Sequence, residues 1–256
     1  MCMQFENLLY RQADGIARLT LNRPDKMNAL SPQLVAELKT AAHHVAQDQS
    51  VKVLIVNGAG RAWSAGVDLQ ALNASIQGGQ FAADQILRDG NEFIHTLQTM
   101  PKVAIAMVNG FCYTGATELM LAFDLIYAAE ESKIGDTHTK WGIAPKWGMT
   151  QRLPQMVGIL KARELSFTAQ PVSGREAERI GLVNRAVPLA ELEATVNEVA
   201  HQILDNSAQA IAAMKSLYYQ GMHTTLQEGL NIEYQAQFAI NDREEFLRNF
   251  RENKKR

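Results

Sequence analysis

Residues 102–124, KVAIAMVNGFCYTGATELMLAFD, contain the features that decide the fold. The apolar run at 103–108 is short and ends at an Asn-Gly pair, which predicts a buried strand followed by a tight turn. Gly115 then opens an apolar stretch that predicts a buried helix, with Glu118 about one turn from its start. The stretch is therefore predicted to fold as a strand, a loop of small residues and a helix.

The start of this helix has the chemistry of an anion site. A helix N-terminus offers unpaired N–H groups and a partial positive charge, and Gly115 allows another molecule to approach the backbone closely. A carboxylate beside such a site, here Glu118, can act as a base facing a developing oxyanion. The alternative is that Glu118 is a favourable first-turn acid, worth less than about 1 kcal/mol.

The same pattern occurs earlier in the chain. VLIVNG…AGVDL and AIAMVNG…TGATEL share an apolar strand, Asn-Gly, a loop, a glycine and an acidic residue before or near leucine, about 52 residues apart. This internal similarity predicts successive turns of a β-β-α superhelix. In that arrangement the backbone N–H groups of Val67 and Gly115 could converge on one oxygen.

The remaining elements are predicted from periodicity, turns and caps. A polar segment rich in Gly and Gln is expected to be a surface loop. From Pro188 onward the chain is predicted to be helical, and this region is expected either to complete the core or to form an oligomer arm. Its two apolar stripes are expected to supply most of the assembly surface. The predicted strands cover 16–21, 51–56, 125–128 and 182–187, the surface loop covers 70–82, Ser31 and Ser173 are helix caps, and the stripes lie at 192–203 and 226–238.

Composition bounds the class of protein. The 256 residues are 46% hydrophobic and 20% charged with a net charge of −2, which predicts a globular, enzyme-sized chain and argues against a general nucleic-acid binder. Cys2 and Cys112 lack metal-ligand spacing. The N-terminus shows no secretory signal, and no apolar run approaches the roughly 20 residues that span a membrane. A reducing cytoplasmic setting is therefore expected.

Five segments, taken in order, resemble the motifs of the crotonase family, also called the enoyl-CoA hydratase/isomerase superfamily: LNRPDKMNAL, GRAWSAGVDL, MVNGFCYTGATEL, GIAPKWGMTQRLPQMVG and AERIGLVNRAV. The resemblance covers nearly the whole chain. It implies an α/β fold, crotonase-like, with a spiral of β-β-α repeats as an acyl-CoA-binding core at 1–190. A C-terminal helical trimerisation region at 191–256 and a homotrimer or dimer of trimers are also implied.

The resemblance also implies a site for a CoA thioester, with CoA as part of the substrate and no separate cofactor. The N–H groups of Val67 and Gly115 would hold the thioester carbonyl. The final helix of one subunit would reach the nucleotide bound by its neighbour. The residues implied to bind substrate are Lys26, Met27, Ala29, Ala65, Asp68, Leu69, Trp141, Phe250 and Lys254, with Trp147 as a second aromatic candidate for the acyl pocket.

The chain departs from the family pattern at one catalytic position. Family hydratases carry two carboxylates around one water; the first corresponds to Glu118, whereas the second corresponds to His138. Histidine can act as an acid or a base near neutral pH, although a loop histidine is more often exposed or simply hydrogen-bonded. Three functions stay open: a 2-enoyl-CoA hydratase using Glu118 and His138, a double-bond isomerase using Glu118 alone, and a non-catalytic acyl-CoA-binding scaffold.

Overall fold

A computed structural model of the chain describes residues 4–71 and 80–253. The strands are β1 (Leu8–Ala13), β2 (Ile16–Leu21), β3 (Val53–Gly58), β4 (Ala62–Ser64), β5 (Val103–Val108), β6 (Phe111–Tyr113), β7 (Leu125–Ala129), β8 (Lys133–Gly135), β9 (Val172–Ser173) and β10 (Arg185–Val187). The helices are α1 (Pro32–Gln47), α2 (Gln80–Thr99), α3 (Gly115–Met120), α4 (Met149–Val157), α5 (Ile159–Thr168), α6 (Gly174–Arg179), α7 (Leu189–Leu204), α8 (Ala208–Gly221), α9 (Leu226–Gln235) and α10 (Arg243–Asn253). Two 3₁₀ turns cover Pro24–Lys26 and Thr139–Trp141.

The strands form two sheets, and successive units contribute one strand to each. The larger sheet has the order β1-β2-β3-β5-β7-β10, and the smaller has the order β4-β6-β8-β9. From β2 to β10 neighbouring strands of the larger sheet run parallel. The pairs β3/β4, β5/β6 and β7/β8 are therefore three turns of one spiral, which confirms the predicted crotonase-like α/β fold.

The two Asn-Gly turns lie side by side, as the internal similarity predicted. In the parallel register Val56 is opposite Ala106, so both strands end at the same edge of the sheet. The Asn109 side chain then joins the two turns: its Oδ1 accepts a hydrogen bond from Gly58 N at 3.0 Å, and its Nδ2 donates to Gly60 O at 3.0 Å. The two turns therefore occupy equivalent positions in successive units of the spiral.

Both faces of the larger sheet are covered. Helices α1 and α2 pack on one face within the main apolar core. On the other face, Leu192, Val196 and Ala200 of α7 pack against the β3 and β5 side chains of Ile55 and Ile105. A parallel sheet must bury both faces. The prediction that the 192–203 stripe supplies an assembly surface was therefore wrong for its buried members, because α7 completes the core.

Four other segments differ from the sequence predictions. The strand predicted at 51–56 forms two residues later, as β3. Strand β1 was not predicted because LLYRQA does not alternate regularly between apolar and polar residues; it pairs with β2 through a turn in which Asp14 and Gly15 both have positive φ. The predicted strand at 182–187 shortens to β10 because Asn184 N–H and side chain instead bond β7 at Ile126. Most of the predicted loop at 70–82 lies outside the described residues, and α2 begins at its end.

No helix within the described ranges is both long and apolar enough to cross a membrane. The domain division proposed at residue 190 stays a prediction.

Candidate active site

Glu118 is a buried carboxylate held by a neighbouring loop. It lies in α3, where every residue is buried, and only 2% of it is exposed. Its Oε1 accepts hydrogen bonds from the backbone N–H groups of Trp147 at 2.7 Å and Met149 at 3.2 Å. Because a buried carboxylate needs hydrogen-bond donors, these two amides satisfy Oε1 and fix the orientation of the side chain.

The other oxygen of Glu118 faces a histidine. Glu118 Oε2 is 3.2 Å from His138 Nε2, and His138 Nδ1 is 2.6 Å from Asp136 Oδ1. Asp136 Oδ2 in turn accepts a hydrogen bond from Ser166 Oγ at 2.6 Å. His138 and Asp136 are each 4% exposed. The fold thus brings together α3, the loop after β8 and helix α5 in one buried line of carboxylate, imidazole and carboxylate.

The two carboxylates control the charge of the imidazole. Burial alone would lower the pKa of His138, but its hydrogen bonds to Asp136 and Glu118 outweigh burial and raise that pKa to about 9. Burial acts to raise the pKa of Asp136, yet the hydrogen bonds from His138 and Ser166 keep it below its usual range. Near neutral pH, His138 is therefore an imidazolium whose two ring N–H groups donate to carboxylates on opposite sides.

The backbone N–H groups of Val67 and Gly115 lie close together. A Cβ built on Gly115 would lie 3.0 Å from Val67 Cγ2, and one built on Gly66 would lie 3.5 Å from Gly115 N. Leu30 N donates to Gly66 O and Asp68 N donates to Leu30 O, which positions Val67 between two backbone bonds. Among the residues that the structure describes, neither the Val67 nor the Gly115 N–H has an acceptor. Both amides are therefore available to an external oxygen.

Backbone strain sits directly before this pair of amides. Thr114, the residue preceding α3, has φ of 54° and ψ of −119°. For a β-branched residue such a conformation is rare and costs on the order of 1–3 kcal/mol. It is held by a bond from Thr114 N to Gly135 O at 3.0 Å and by a hydroxyl contact with Thr137. The strained residue sets the direction of the next amide, that of Gly115.

Two loops predicted to hold a nucleotide are bonded to each other. Ala65 N donates to Met27 O at 2.9 Å, and Arg23 bridges Asp68 at 3.1 Å. Met27 has a left-handed backbone, as does the buried residue that follows it. Lys26 is exposed beside them. The structure therefore places these two loops side by side, and their role in binding a ligand stays a prediction.

The comparisons with known proteins agree with this geometry. Residues 11–256 match the family model described as enoyl-CoA hydratase/isomerase.

The chain belongs to the enoyl-CoA hydratase/isomerase family.

Among its curated relatives, the crotonyl-CoA hydratase of Syntrophomonas wolfei is 34% identical over 99% of this chain and 98% of that protein. The crystal structure of an enoyl-CoA hydratase from Bacillus anthracis has a TM-score of 0.89 and 31% identity, covering 97% of each chain. A second similar structure is a putative enoyl-CoA hydratase from Thermobifida fusca in complex with acetoacetyl-CoA. It has a TM-score of 0.81 and 27% identity, covering 89% of this chain and 92% of that one.

The remaining residues predicted to bind substrate differ in their location and in their exposure to solvent. Ala29 lies on the first loop, and Leu69, 39% exposed, begins the helical turn that follows the second. Trp141 is 58% exposed on a 3₁₀ turn, whereas Trp147 is 2% exposed. A Cβ on Gly115 would be 3.1 Å from the Trp147 ring, so Trp147 borders the free amides.

The structure does not describe the side chains of the two C-terminal residues that were predicted to bind substrate. Phe250 belongs to α10, but its side chain is not among those described, and Lys254 lies outside the described residues. Their role stays a prediction.

Several functional residues were missed by reasoning from the sequence. Asp136 and Ser166 orient His138, Arg23 joins the two loops, and the amides of Trp147 and Met149 hold Glu118. The one local signal was the Asp-x-His spacing of Asp136 and His138. In the described part of the chain, no group of three or more His, Cys, Asp or Glu residues is arranged to hold a metal ion.

Proposed function

We propose that this chain is an enoyl-CoA hydratase, a lyase that adds water across the C2–C3 double bond of a 2-enoyl-CoA thioester. One observation carries the proposal: the Glu118–His138 contact of 3.2 Å lies beside a helix start whose Gly115 N–H, with that of Val67, has no acceptor in the described structure. Membership of the family and relatives named as hydratases support the substrate class.

In this proposal the two amides bind the thioester oxygen. Hydrogen bonds from Val67 and Gly115 withdraw electrons from the conjugated system, which makes C3 electrophilic and stabilises the enolate that forms. Removing one donor of this kind typically costs about 3–4 kcal/mol of transition-state stabilisation. The CoA moiety belongs to the substrate, so the step needs no separate cofactor.

The acid and base are then on one side of the bond to be hydrated. Glu118 Oε2 accepts a proton as the water oxygen forms its bond to C3, and the C2–C3 π pair moves towards the carbonyl. As the enolate collapses, His138 Nε2–H gives its proton to C2. Glu118 ends protonated and His138 neutral. A proton transfer from Glu118 to His138, which are in direct contact, restores the starting state.

Replacing Glu118 tests the base. Glu118→Gln keeps the volume and one hydrogen-bond acceptor but removes the proton acceptor, so hydration of 2-enoyl-CoAs should fall by roughly 10²–10⁴ in kcat/KM. Calorimetric titration with a CoA ester should show retained binding. Glu198→Gln on an exposed part of α7 is the matched control. Undiminished hydration by the Glu118 variant would remove Glu118 from the reaction.

A second candidate is a double-bond isomerase, in which Glu118 moves a proton between C4 and C2. The observation that favours it is that Asp136 lies behind His138, so the side facing Glu118 presents one carboxylate only. Incubation with 3-enoyl-CoA in deuterated water distinguishes the two: deuterium entry without a 3-hydroxy product supports the isomerase. Tight CoA-ester binding with no turnover of any thioester would support the third candidate function, a non-catalytic acyl-CoA-binding scaffold.

We also propose a homo-oligomer, a trimer or a dimer of trimers. Helix α8 and the residue after it expose Met214, Tyr218 and Met222, spaced by four residues, and α9 exposes a similar stripe. Exposed apolar stripes of this length indicate a protein interface. The cytoplasmic setting expected from composition stays a prediction.

A further inference from the structure

Asp136 is a buried carboxylate whose hydrogen bonds converge on His138 and one hydroxyl. Its Oδ1 accepts from His138 Nδ1 at 2.6 Å and from His138 N at 3.1 Å. Its Oδ2 accepts from Ser166 Oγ at 2.6 Å. The ring and the backbone of His138 are therefore both bonded to one oxygen of Asp136, and Ser166 on α5 holds the other oxygen.

We propose that Asp136, braced by Ser166, is a positioning residue that fixes His138 as the proton donor of the site. The inference rests on the hydratase function proposed above. Asp136 acts through His138 and is not itself assigned a contact with substrate.

Orientation is the first part of this role. With Nδ1–H bonded to Asp136, the imidazole presents Nε2–H to Glu118, which is the nitrogen required to protonate C2. A ring free to rotate about its Cβ–Cγ bond could present carbon instead. Ser166 is itself held in place, because Thr139 Oγ1 donates a hydrogen bond to Ser166 O at 2.7 Å. This bond connects the turn after His138 to α5.

Charge is the second part. The charged groups that act on His138 are Asp136 from its own loop and Glu118 from α3. Arg152 of α4 acts on Glu118 and donates to Trp147 O at 2.6 Å, behind the loop that holds Glu118. His138 therefore keeps its proton as the pH rises through neutrality and loses it near its pKa of about 9. Removing the negative charge of Asp136 must move that loss to lower pH.

A titration without substrate tests the inference first. In NMR spectra of the full chain, the His138 ring signals are assigned by their disappearance in His138→Gln. We expect the wild-type pKa of His138 to be near 9, and Asp136→Asn, which preserves shape, to lower it by at least about one unit. Ser166→Ala removes no charge, so we expect it to change the pKa of His138 by less than Asp136→Asn does. An unchanged pKa in Asp136→Asn would overturn the inference.

Kinetics then separate positioning from folding. The kcat/KM for a 2-enoyl-CoA should be flat across neutral pH and fall above the His138 pKa, and in Asp136→Asn this fall should begin at least about one pH unit lower. In the His138→Gln background, adding Asp136→Asn should change kcat/KM by less than about twofold, because Asp136 acts through the imidazole. Asp205→Asn, at an exposed position, is the charge-matched control.

The outcomes are distinguishable. If Asp136→Asn reduces activity equally in both backgrounds and lowers the melting temperature to match, its role is structural and the inference is overturned. If no 2-enoyl-CoA is hydrated by the wild type, the proposed function fails, and the NMR titration still decides whether Asp136 controls His138. If hydration occurs and its basic limb does not move in Asp136→Asn, the inference alone fails.

Discussion

At the residue scale, a single glycine, Gly66, determines the backbone geometry around the free N–H groups of Val67 and Gly115. Gly66 has φ of +92°, and a Cβ there would lie 2.7 Å from the carbonyl oxygen of Tyr113. A contact below 3.0 Å with backbone cannot be relieved by a side-chain rotation, so one of the two loops must move. The next amide after Gly66 is that of Val67, and Tyr113 is two residues before Gly115.

Gly66→Ala should therefore damage catalysis more than stability. We expect kcat/KM to fall by about 10²–10³, the typical effect of losing one oxyanion donor, and the free energy of unfolding to fall by about 1 kcal/mol or more. Steady-state kinetics and urea denaturation measure the two effects. Gly221→Ala is the matched control, because nothing lies within 4 Å of its Cβ position and its φ is not positive. Full activity in Gly66→Ala would show that Val67 does not bind the thioester oxygen.

Local sequence patterns identify some residues of the candidate site and miss others. The number of residues that separate contacting side chains along the chain explains the difference. Glu118 and Gly115 belong to one strand–loop–helix unit, so local patterns identified them. Asp136 acquires its partner on α5 thirty residues later, and no local pattern encodes such a contact. The prediction that a histidine occupies the second acid/base position rested on family resemblance, and its role stays a proposal.

At the scale of elements, the two loops that carry Met27 and Ala65 act as one surface. The bond from Ala65 N to Met27 O and the Arg23–Asp68 ion pair hold them together. Asp68 has a pKa below its usual range: burial opposes this, but hydrogen bonds from the following backbone and from Arg23 prevail. This pair is one fifth exposed or less, so it stays formed at neutral pH.

Lys26 is an exposed cation on this surface, and we expect it to meet a phosphate of CoA. Lys26→Glu should weaken CoA-ester binding, and by a larger factor at low salt than at high salt, because screening shortens the range of the interaction. Titration calorimetry at two salt concentrations measures this. Lys52→Glu, an exposed position before β3, makes the same charge change elsewhere. Equal affinities for both variants at both concentrations would exclude Lys26 from CoA binding.

Strands were predicted best where burial produces a clear pattern of apolar residues along the sequence. Strands β2 and β5 have the predicted bounds of 16–21 and 103–108, since β2 alternates partly between apolar and polar residues, β5 is a short apolar run, and each ends at a turn. β1 carries the sequence LLYRQA at a sheet edge with only Leu8 buried, so pairing and not burial creates the strand. The role of α7 was mispredicted for a related reason: an apolar stripe shows that a helix face is covered, but it does not show by what.

At the scale of the whole molecule, helices α8 and α9 both expose large apolar side chains at helical spacing. On α9, Leu226, Leu230 and Tyr234 are 80%, 53% and 90% exposed and lie four residues apart. No residue of α9 is buried within the chain, although a capping box at Thr225 and Glu228 starts the helix firmly. A helix that is well capped and packs little on its own core is suited to packing on a second copy.

We therefore expect Leu230→Asp to dissociate the assembly without unfolding the core. Burying a leucine contributes about 1.5–3 kcal/mol, and an unpaired carboxylate in its place adds a desolvation cost. Light scattering after size exclusion should give the wild type three or six times the chain mass of 28.4 kDa, and the variant a smaller multiple. Gln227→Asp, an exposed polar position one turn earlier on α9, should leave the mass unchanged. A wild type of 28.4 kDa would contradict the proposed oligomer, and an unchanged mass in Leu230→Asp would exclude this face of α9 as the interface.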